Sequence, residues 1–237
     1  RKQWGEESAV YKNRVKGEFA SSDEDTVITL AMVERANERW AVIKEAEGFG
    51  AVTGLGADIG RGGDPSIIGI ACGDAIREFK RLNVRDVMQV AGTLLNLLKG
   101  NPLARAVIDI IGIGAGVYDR LKEDKAVSSR VFAFNAAEKS MQKDRSGELS
   151  FLNMRSAGWW TVREKLEADE LALPPDDDLI GELTSPKWRV TSGGKIQVEA
   201  KEDIKKRIGR STNCADAVIQ VYVQIGLGTG SWVRTVG

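Results

Sequence analysis

The sequence predicts an α/β domain built on a mixed five-stranded sheet flanked by helices, with an additional β-hairpin. Three observations predict it. Between residues 51 and 80, short β-favouring runs are separated by turns rich in Gly and Asp, which reads as a three-stranded meander. Between 105 and 134, two apolar runs flank a glycine-rich turn and a helix, and such a crossover implies parallel pairing. The chain of 237 residues is long enough for one large core and too short for two full-sized domains.

Each element has its own local reason. Residues 1–45 read as a linker or arm, with an exposed Ser-Ser-Asp-Glu-Asp loop at 21–25 and a helix from about Thr26 to Ala41; residues 46–237 read as the domain proper. Small and β-favouring residues from Ala51 to Ala57 form the first strand and lead into Asp58. After the turn Ile59-Gly60-Arg61-Gly62-Gly63-Asp64-Pro65, Ser66 to Cys72 is a near-continuous apolar run suited to a buried strand, and Ala75 to Lys80 makes the third. Val84, Val87, Met88, Ala91, Leu94, Leu95 and Leu98 recur at helical spacing, with Asn83 as N-cap and Gly100 as the stop. Arg105 to Ile111 is the next strand, followed by a helix over Val117–Glu123 and a strand over Arg130–Phe134. A helix over 151–169 precedes Pro174-Pro175-Asp176-Asp177-Asp178, which breaks the chain. Trp188 to Ala200 reads as a hairpin about Ser192-Gly193-Gly194-Lys195, then come a short charged helix over Glu202–Arg207 and an apolar helix over Cys214–Ile225.

Composition excludes several chemistries. There is no His, which removes a Ser-His-Asp triad, a Cys-His dyad and a His-ligated zinc site. Cys72 and Cys214 are too few for an all-cysteine zinc site and make no disulfide framework, so a reducing cytosol is the default compartment. Lys plus Arg and Asp plus Glu are 34 each, which argues against wholesale non-specific nucleic-acid binding and leaves regional basic patches open. No apolar stretch reaches the ~18 residues of a membrane span. The opening Arg1-Lys2-Gln3-Trp4 lacks an initiator Met and any secretory signal, and reads as the start of a fragment.

Acidic residues are the remaining candidates for chemistry. Asp109 shares a strand face with Val107 and Ile111, where an ionised carboxylate is costly without a cation or donor; it reads either as a site residue or as a strand-end Asp bonded to the following turn. Asp58 closes a strand whose Gly54 and Gly56 would leave room on its own face for a ligand, or it starts the turn by an Asx-type bond. Asp64 sits across that turn. Asp216 falls in the first turn of the last helix, where a carboxylate suits the helix dipole with or without further function. If the first and fourth strands are neighbours, Asp58 and Asp109 face one another beside that helix. Bound cations would relieve their repulsion, and oxygen-only ligands select Mg²⁺ or Mn²⁺. The glycine-rich turns match neither the dinucleotide fingerprint nor the P-loop, and read as sharp bends beside a site. Arg189, Lys195, Lys201, Lys205, Lys206, Arg207 and Arg210 read as a solvated charged face or as phosphate contacts. Trp159 and Trp160 read as core, or as a platform for bases.

Four segments in order carry a resemblance: 4–19 (WGEESAVYKNRVKGEF), 56–70 (GADIGRGGDPSIIGI), 108–121 (IDIIGIGAGVYDRL) and 168–218, which includes ADELALPPDDDLIGELTSPKWRV, KIQVEAKEDIKKRIGRS and CADAV. The chain resembles the C-terminal nuclease domain of the large terminase subunit, the DNA-packaging motor protein of tailed phages and prophages. The resemblance implies a ribonuclease H-like fold and an endonuclease that hydrolyses phosphodiester bonds of concatemeric double-stranded DNA. It implies Asp58, Asp109 and Asp216 as metal-binding catalytic acids with Asp64 as a supplementary ligand, and two Mg²⁺ or Mn²⁺ ions. Its implied partners are double-stranded DNA, the terminase ATPase domain, the small terminase subunit and the portal protein, in the cytoplasm of an infected bacterium and with no membrane. The ATPase half with its P-loop is absent from this sequence, so the chain would not package DNA alone. A Holliday-junction resolvase-like nuclease and a non-catalytic module docking DNA or the portal are the alternatives.

Overall fold

The computed structural model describes residues 25–223 except Glu47, Arg61 and Gly62; the 4–19 segment, most of the expected arm and the end of the expected last helix lie outside the described residues. The main sheet has the order β3-β2-β1-β4-β5, formed by β1 (Gly54–Asp58), β2 (Ser66–Cys72), β3 (Ala75–Leu82), β4 (Arg105–Asp109) and β5 (Val131–Phe134). The meander is antiparallel and the β1–β4 and β4–β5 pairs are parallel, so the expected mixed sheet is the one observed. Beside it lies a smaller sheet of β6 (Ser150–Phe151), β7 (Trp188–Val190) and β8 (Lys195–Val198), in the order β6-β8-β7. The expected hairpin is β7–β8; β6, at two residues, is too short to leave a periodic pattern.

Seven α-helices are described: α1 (Leu30–Glu45), α2 (Val87–Gly100), α3 (Gly114–Glu123), α4 (Met154–Glu167), α5 (Asp177–Thr184), α6 (Lys201–Ile208) and α7 (Asn213–Tyr222). Several starts differ from the sequence reading: α3 begins at Gly114 rather than Val117, α4 at Met154 rather than 151, and the caps of α1 and α2 are other residues than expected. Thr29 caps α1, its hydroxyl accepting from Met32 N, while Thr26 bridges to Lys187 instead. Asp86 rather than Asn83 caps α2, accepting from Met88 N at 2.9 Å. The Pro-Pro-Asp stretch does break the chain, but Asp176 then caps α5, with Asp177 and Asp178 in its first turn. That is an ordinary helix-start signature, and it could have been read.

The sheet is covered on both faces. Leu55, Ala57, Ile68, Ile70 and Ile108 point toward α2 and α3, where they meet Val90, Leu94, Leu98, Val117 and Leu121. The opposite core holds Trp159, Trp160 and Leu166 of α4, Trp188 and Ile196 of the small sheet, Val33 and Ala36 of α1, and Ala217 and Val218 of α7. Burying one large apolar side chain contributes about 1.5–3 kcal/mol, so both layers are needed. Trp159 and Trp160 are both core residues, and Trp160 meets Trp188 edge-on at 5.1 Å between ring centroids.

One close approach decides the geometry of everything above β1. Gly54 and Gly56 lie on the face opposite Leu55 and Ala57, and the space above them is filled by α7 rather than by a ligand, contrary to the sequence reading. A Cβ at Gly56 would collide with the Ala217 carbonyl oxygen, and one at Gly54 would stand 3.0 Å from Val221 Cγ1. The helix backbone itself therefore rests on the strand. Gly56→Ala should lower unfolding free energy by about 1–3 kcal/mol in urea melts, because a helix backbone cannot yield as a side chain can. An unchanged midpoint would show that α7 can lift freely from β1.

Candidate active site

Period-two alternation puts Asp58 and Asp109 on the α7 face of the sheet, at the C-terminal ends of parallel neighbours. The register pairs Ala57 with Ile108, so the two aspartates follow one another side by side. Their surroundings differ. Asp58 is buried, whereas Asp109 is partly open and accepts a 2.9 Å bond from Ile111 N. The turn bond expected for a strand-end Asp is thus present at Asp109, without removing it from the site. The chain turns there because Gly114 lies so close to the Asp109 carbonyl that a Cβ would collide with it.

Asp216, on the first turn of α7, completes the group. It is 8% exposed, and its carboxylate has three partners: Arg155 Nη1 donates at 2.9 Å, Thr212 Oγ1 at 2.8 Å and Lys201 Nζ approaches to 3.0 Å. Lys201 Nζ also donates to both Asp58 oxygens, at 3.2 and 3.1 Å. One ammonium therefore bridges two buried carboxylates. Arg155 does a second job: its Nε donates to the Glu199 carbonyl at 3.1 Å, two residues before Lys201, and its guanidinium lies 5.5 Å from the Trp159 ring centroid. The same side chain thus fixes Asp216 and the entry to α6.

The charges are unevenly compensated. Burial pushes Asp58 up to about 7, with the Asp216 and Asp109 charges adding to the rise and Lys201 opposing it. Asp109 is also raised, chiefly by burial, against the pull of the Ile111 amide. For Asp216 burial acts upward as well, but Lys201 and Arg155 outweigh it and hold the carboxyl below its usual range. Lys201 is displaced upward: burial would lower it, and the two aspartates overcome that.

The other expected site residues are distributed as follows. Asp64 is exposed on the rim and takes a 2.9 Å ion pair from Lys205, one helical turn from Lys201 on α6. Arg207 meets Glu199, Arg210 meets Glu182 and Asp178, and Lys206 makes an exposed 3.4 Å contact with Asp203. Arg189 donates to the Gln197 side chain, and Lys195 opens β8. The basic stretch is thus largely turned onto acidic partners of the same chain. Sequence reading missed Arg155, Thr212 and Glu182, and cast Lys201 as a phosphate contact although it lies among the aspartates. Only Thr212, four residues before Asp216, lay within sequence reach.

Among the described residues no three acidic or cysteine side chains stand ready as a metal cage, and a lysine ammonium lies between Asp58 and Asp216. The donor set nevertheless suits a hard dication. It is all oxygen, it is anionic, and a cationic nitrogen already bridges two of its carboxylates. Both cysteines are free thiols, and no described helix is long and apolar enough to cross a membrane.

No protein-family model matches the chain. It is 25% identical over 214 residues to the "Probable terminase, large subunit" of Enterobacteria phage P7, a match covering 86% of this chain and 42% of that protein. The chain therefore spans about two fifths of that relative's length. The nuclease domain of the large terminase subunit gp2 of bacterial virus Sf6 superposes with TM-score 0.66 at 20% identity, covering 81% of this chain and 96% of that one. A mutant of the same Sf6 domain with manganese and beta-thujaplicinol gives 0.65 at 20% identity, with the same coverage. The large terminase nuclease of thermophilic phage G20c with bound magnesium gives 0.52 at 18% identity, covering 73% and 81% of the two chains. The fold is that of these terminase nuclease domains, and the resemblance read from the sequence agrees with both comparisons, each of which finds large terminase proteins of phages.

The Asp58 shift has a measurable sign. The folded chain keeps a proton on Asp58 that the unfolded chain releases near its ordinary value, so this group costs the metal-free protein stability as pH rises from about 4 to about 7. Asp58→Asn removes that cost. Its gain in thermal midpoint over the parent, measured by calorimetry in EDTA, should be larger at about pH 8 than at about pH 4.5. A gain independent of pH would return Asp58 to the ordinary carboxylate range.

Proposed function

We propose that this chain is the nuclease domain of a large terminase subunit of a tailed phage or prophage, and that it hydrolyses phosphodiester bonds of double-stranded DNA with Mg²⁺ or Mn²⁺ held by Asp58, Asp109 and Asp216. The observation that carries the reading is that Asp58 and Asp109, at the C-terminal ends of the neighbouring strands β1 and β4, and Asp216 of α7 lie close enough for their charges to act on one another. The relatives support it by what they are: large terminase proteins, with solved nuclease domains that include forms bound to manganese and magnesium.

Two bound ions would supply Lewis-acid chemistry, generating a nucleophilic hydroxide and stabilising the leaving oxygen. This chain's own residues do the rest. Asp216 stays ionised at neutral pH because Lys201 and Arg155 hold it so, and is ready as a ligand. Asp58 sheds its proton more readily the more positive charge approaches it, which couples metal entry to proton release. Lys201 neutralises Asp58 and Asp216 and competes with an entering dication for the same oxygens. Asp64 lies on the rim as a supplementary ligand that is released when Lys205 lets go. The stretch from Arg189 through Lys195 to Arg210 meets the DNA backbone, and the ATPase domain, small subunit and portal are the partners of the longer protein.

The test is cleavage of plasmid by the purified chain with Mn²⁺ or Mg²⁺. Asp109→Ala should reduce the rate by about a thousandfold or more, the several kcal/mol that metal-assisted charge stabilisation supplies, and EDTA should abolish it. Cleavage that survives both would refute the site. A strong preference for four-way junctions over linear duplex would favour a resolvase-like nuclease. DNA binding without cleavage or metal uptake would favour a docking module.

A further inference from the structure

The start of α7, the helix that carries Asp216, is capped in an unusual way. Its N-cap residue is Thr212, a type whose hydroxyl ordinarily accepts from the first-turn amides. Here the hydroxyl makes no such bond and donates instead to Asp216 Oδ2 at 2.8 Å. The amides it leaves behind are taken by another helix. Glu182 of α5 accepts from Cys214 N at 2.7 Å and Ala215 N at 3.0 Å, both on Oε2, while its Oε1 accepts from Arg210 Nη2 at 2.8 Å. Glu182 is only 3% exposed, so a buried charge has been placed where three donors converge.

We propose that Glu182 is a positioning residue for Asp216, acting as a substitute cap that frees the Thr212 hydroxyl to orient the catalytic carboxylate. The inference rests on the reading of Asp216 as a metal-binding acid. The physical argument is competition for one hydroxyl. A buried amide without an acceptor is costly, so with Glu182 gone the nearest acceptor for the α7 amides is Thr212 Oγ1. Turning that oxygen to accept takes its proton away from Asp216, which loses the donor fixing its Oδ2. Residues that support a metal ligand in this way typically change affinity by about 10–100-fold when removed.

Four variants of the chain test this, with Mn²⁺ affinity read by titration calorimetry well below each thermal midpoint. Glu182→Leu, which removes the acceptor at similar size, and Thr212→Val should each weaken Mn²⁺ binding by about 10–100-fold. Their double variant should fall short of the product of the two, because both act on one carboxylate. Thr212→Ser, which keeps the hydroxyl, should bind as the parent does. Asp178→Asn removes the other acid partner of Arg210 without touching α7, and should also bind as the parent does. Parent-like Mn²⁺ affinity in Glu182→Leu would overturn the proposal; should that variant not fold, parent-like affinity in Thr212→Val would do so. If the parent itself takes up no Mn²⁺, the nuclease reading falls and the positioning is judged from the metal-free crystal structure of Glu182→Leu. Thr212 turned onto the α7 amides supports it, and Thr212 still on Asp216 overturns it.

Discussion

A lysine ammonium held between two buried aspartates is the interaction on which the rest of this structure turns. Asp58 and Asp216 come from opposite ends of the chain and carry like charges, which repel strongly in a poorly solvated site. Burying either alone would be costly by several kcal/mol. Lys201 makes the arrangement tolerable by lying close to both, and Arg155 and Thr212 satisfy what remains of Asp216. The glycines of β1 are the steric half of the same constraint. Only a strand without side chains above it lets α7 descend far enough for Asp216 to reach the level of Asp58.

The elements outside the main sheet gain a common purpose from this. The small sheet and α4 are joined where the Ser156 hydroxyl accepts from Val198 N, and where Arg155 donates to the Glu199 carbonyl. Both contacts fix the end of β8, from which α6 starts, so the lysine reaches the aspartates because the hairpin is anchored first. Its placement is inherited from packing, since a short charged helix with a single buried residue, Ile204, has little core of its own to hold it.

What was legible in the sequence follows physical range. The period-two pattern of β1 and β4 put Asp58 and Asp109 on defined faces, and the strand-helix-strand run implied that parallel neighbours exist. Those are local or nearly local facts. The position of Asp216 in a first helical turn suits the helix dipole with or without further function, so the resemblance through CADAV rather than local chemistry singled it out in the sequence. Lys201 sat in a run of mixed charge that reads as solvated, because nothing within ten residues tells which lysine of a charged helix points inward. Arg155 and Glu182 act across sequence separations of 61 and about 30 residues, beyond any periodicity or motif. Glu182 was further hidden by the Pro-Pro-Asp stretch, which reads first as a break and only second as a helix start.

The same internal pairing governs the basic side chains on and just after α6. Lys201, Lys205, Lys206, Arg207 and Arg210 each have a carboxylate, but the pairs differ in how firmly they are held. Lys205 with Asp64 and Lys206 with Asp203 are exposed, and such pairs contribute only about 0–1 kcal/mol. A phosphate that presents several oxygens can replace those carboxylates at little cost. Lys201 is different, since its partners are both buried: Arg155 would still pair with Asp216, but withdrawal of the lysine would leave Asp58 buried without a cation. The rim pairs therefore yield readily to salt, whereas the central pair is held by burial. The two kinds of pair sit one helical turn apart on α6, with Lys205 half exposed to solvent and Lys201 turned onto the buried aspartates.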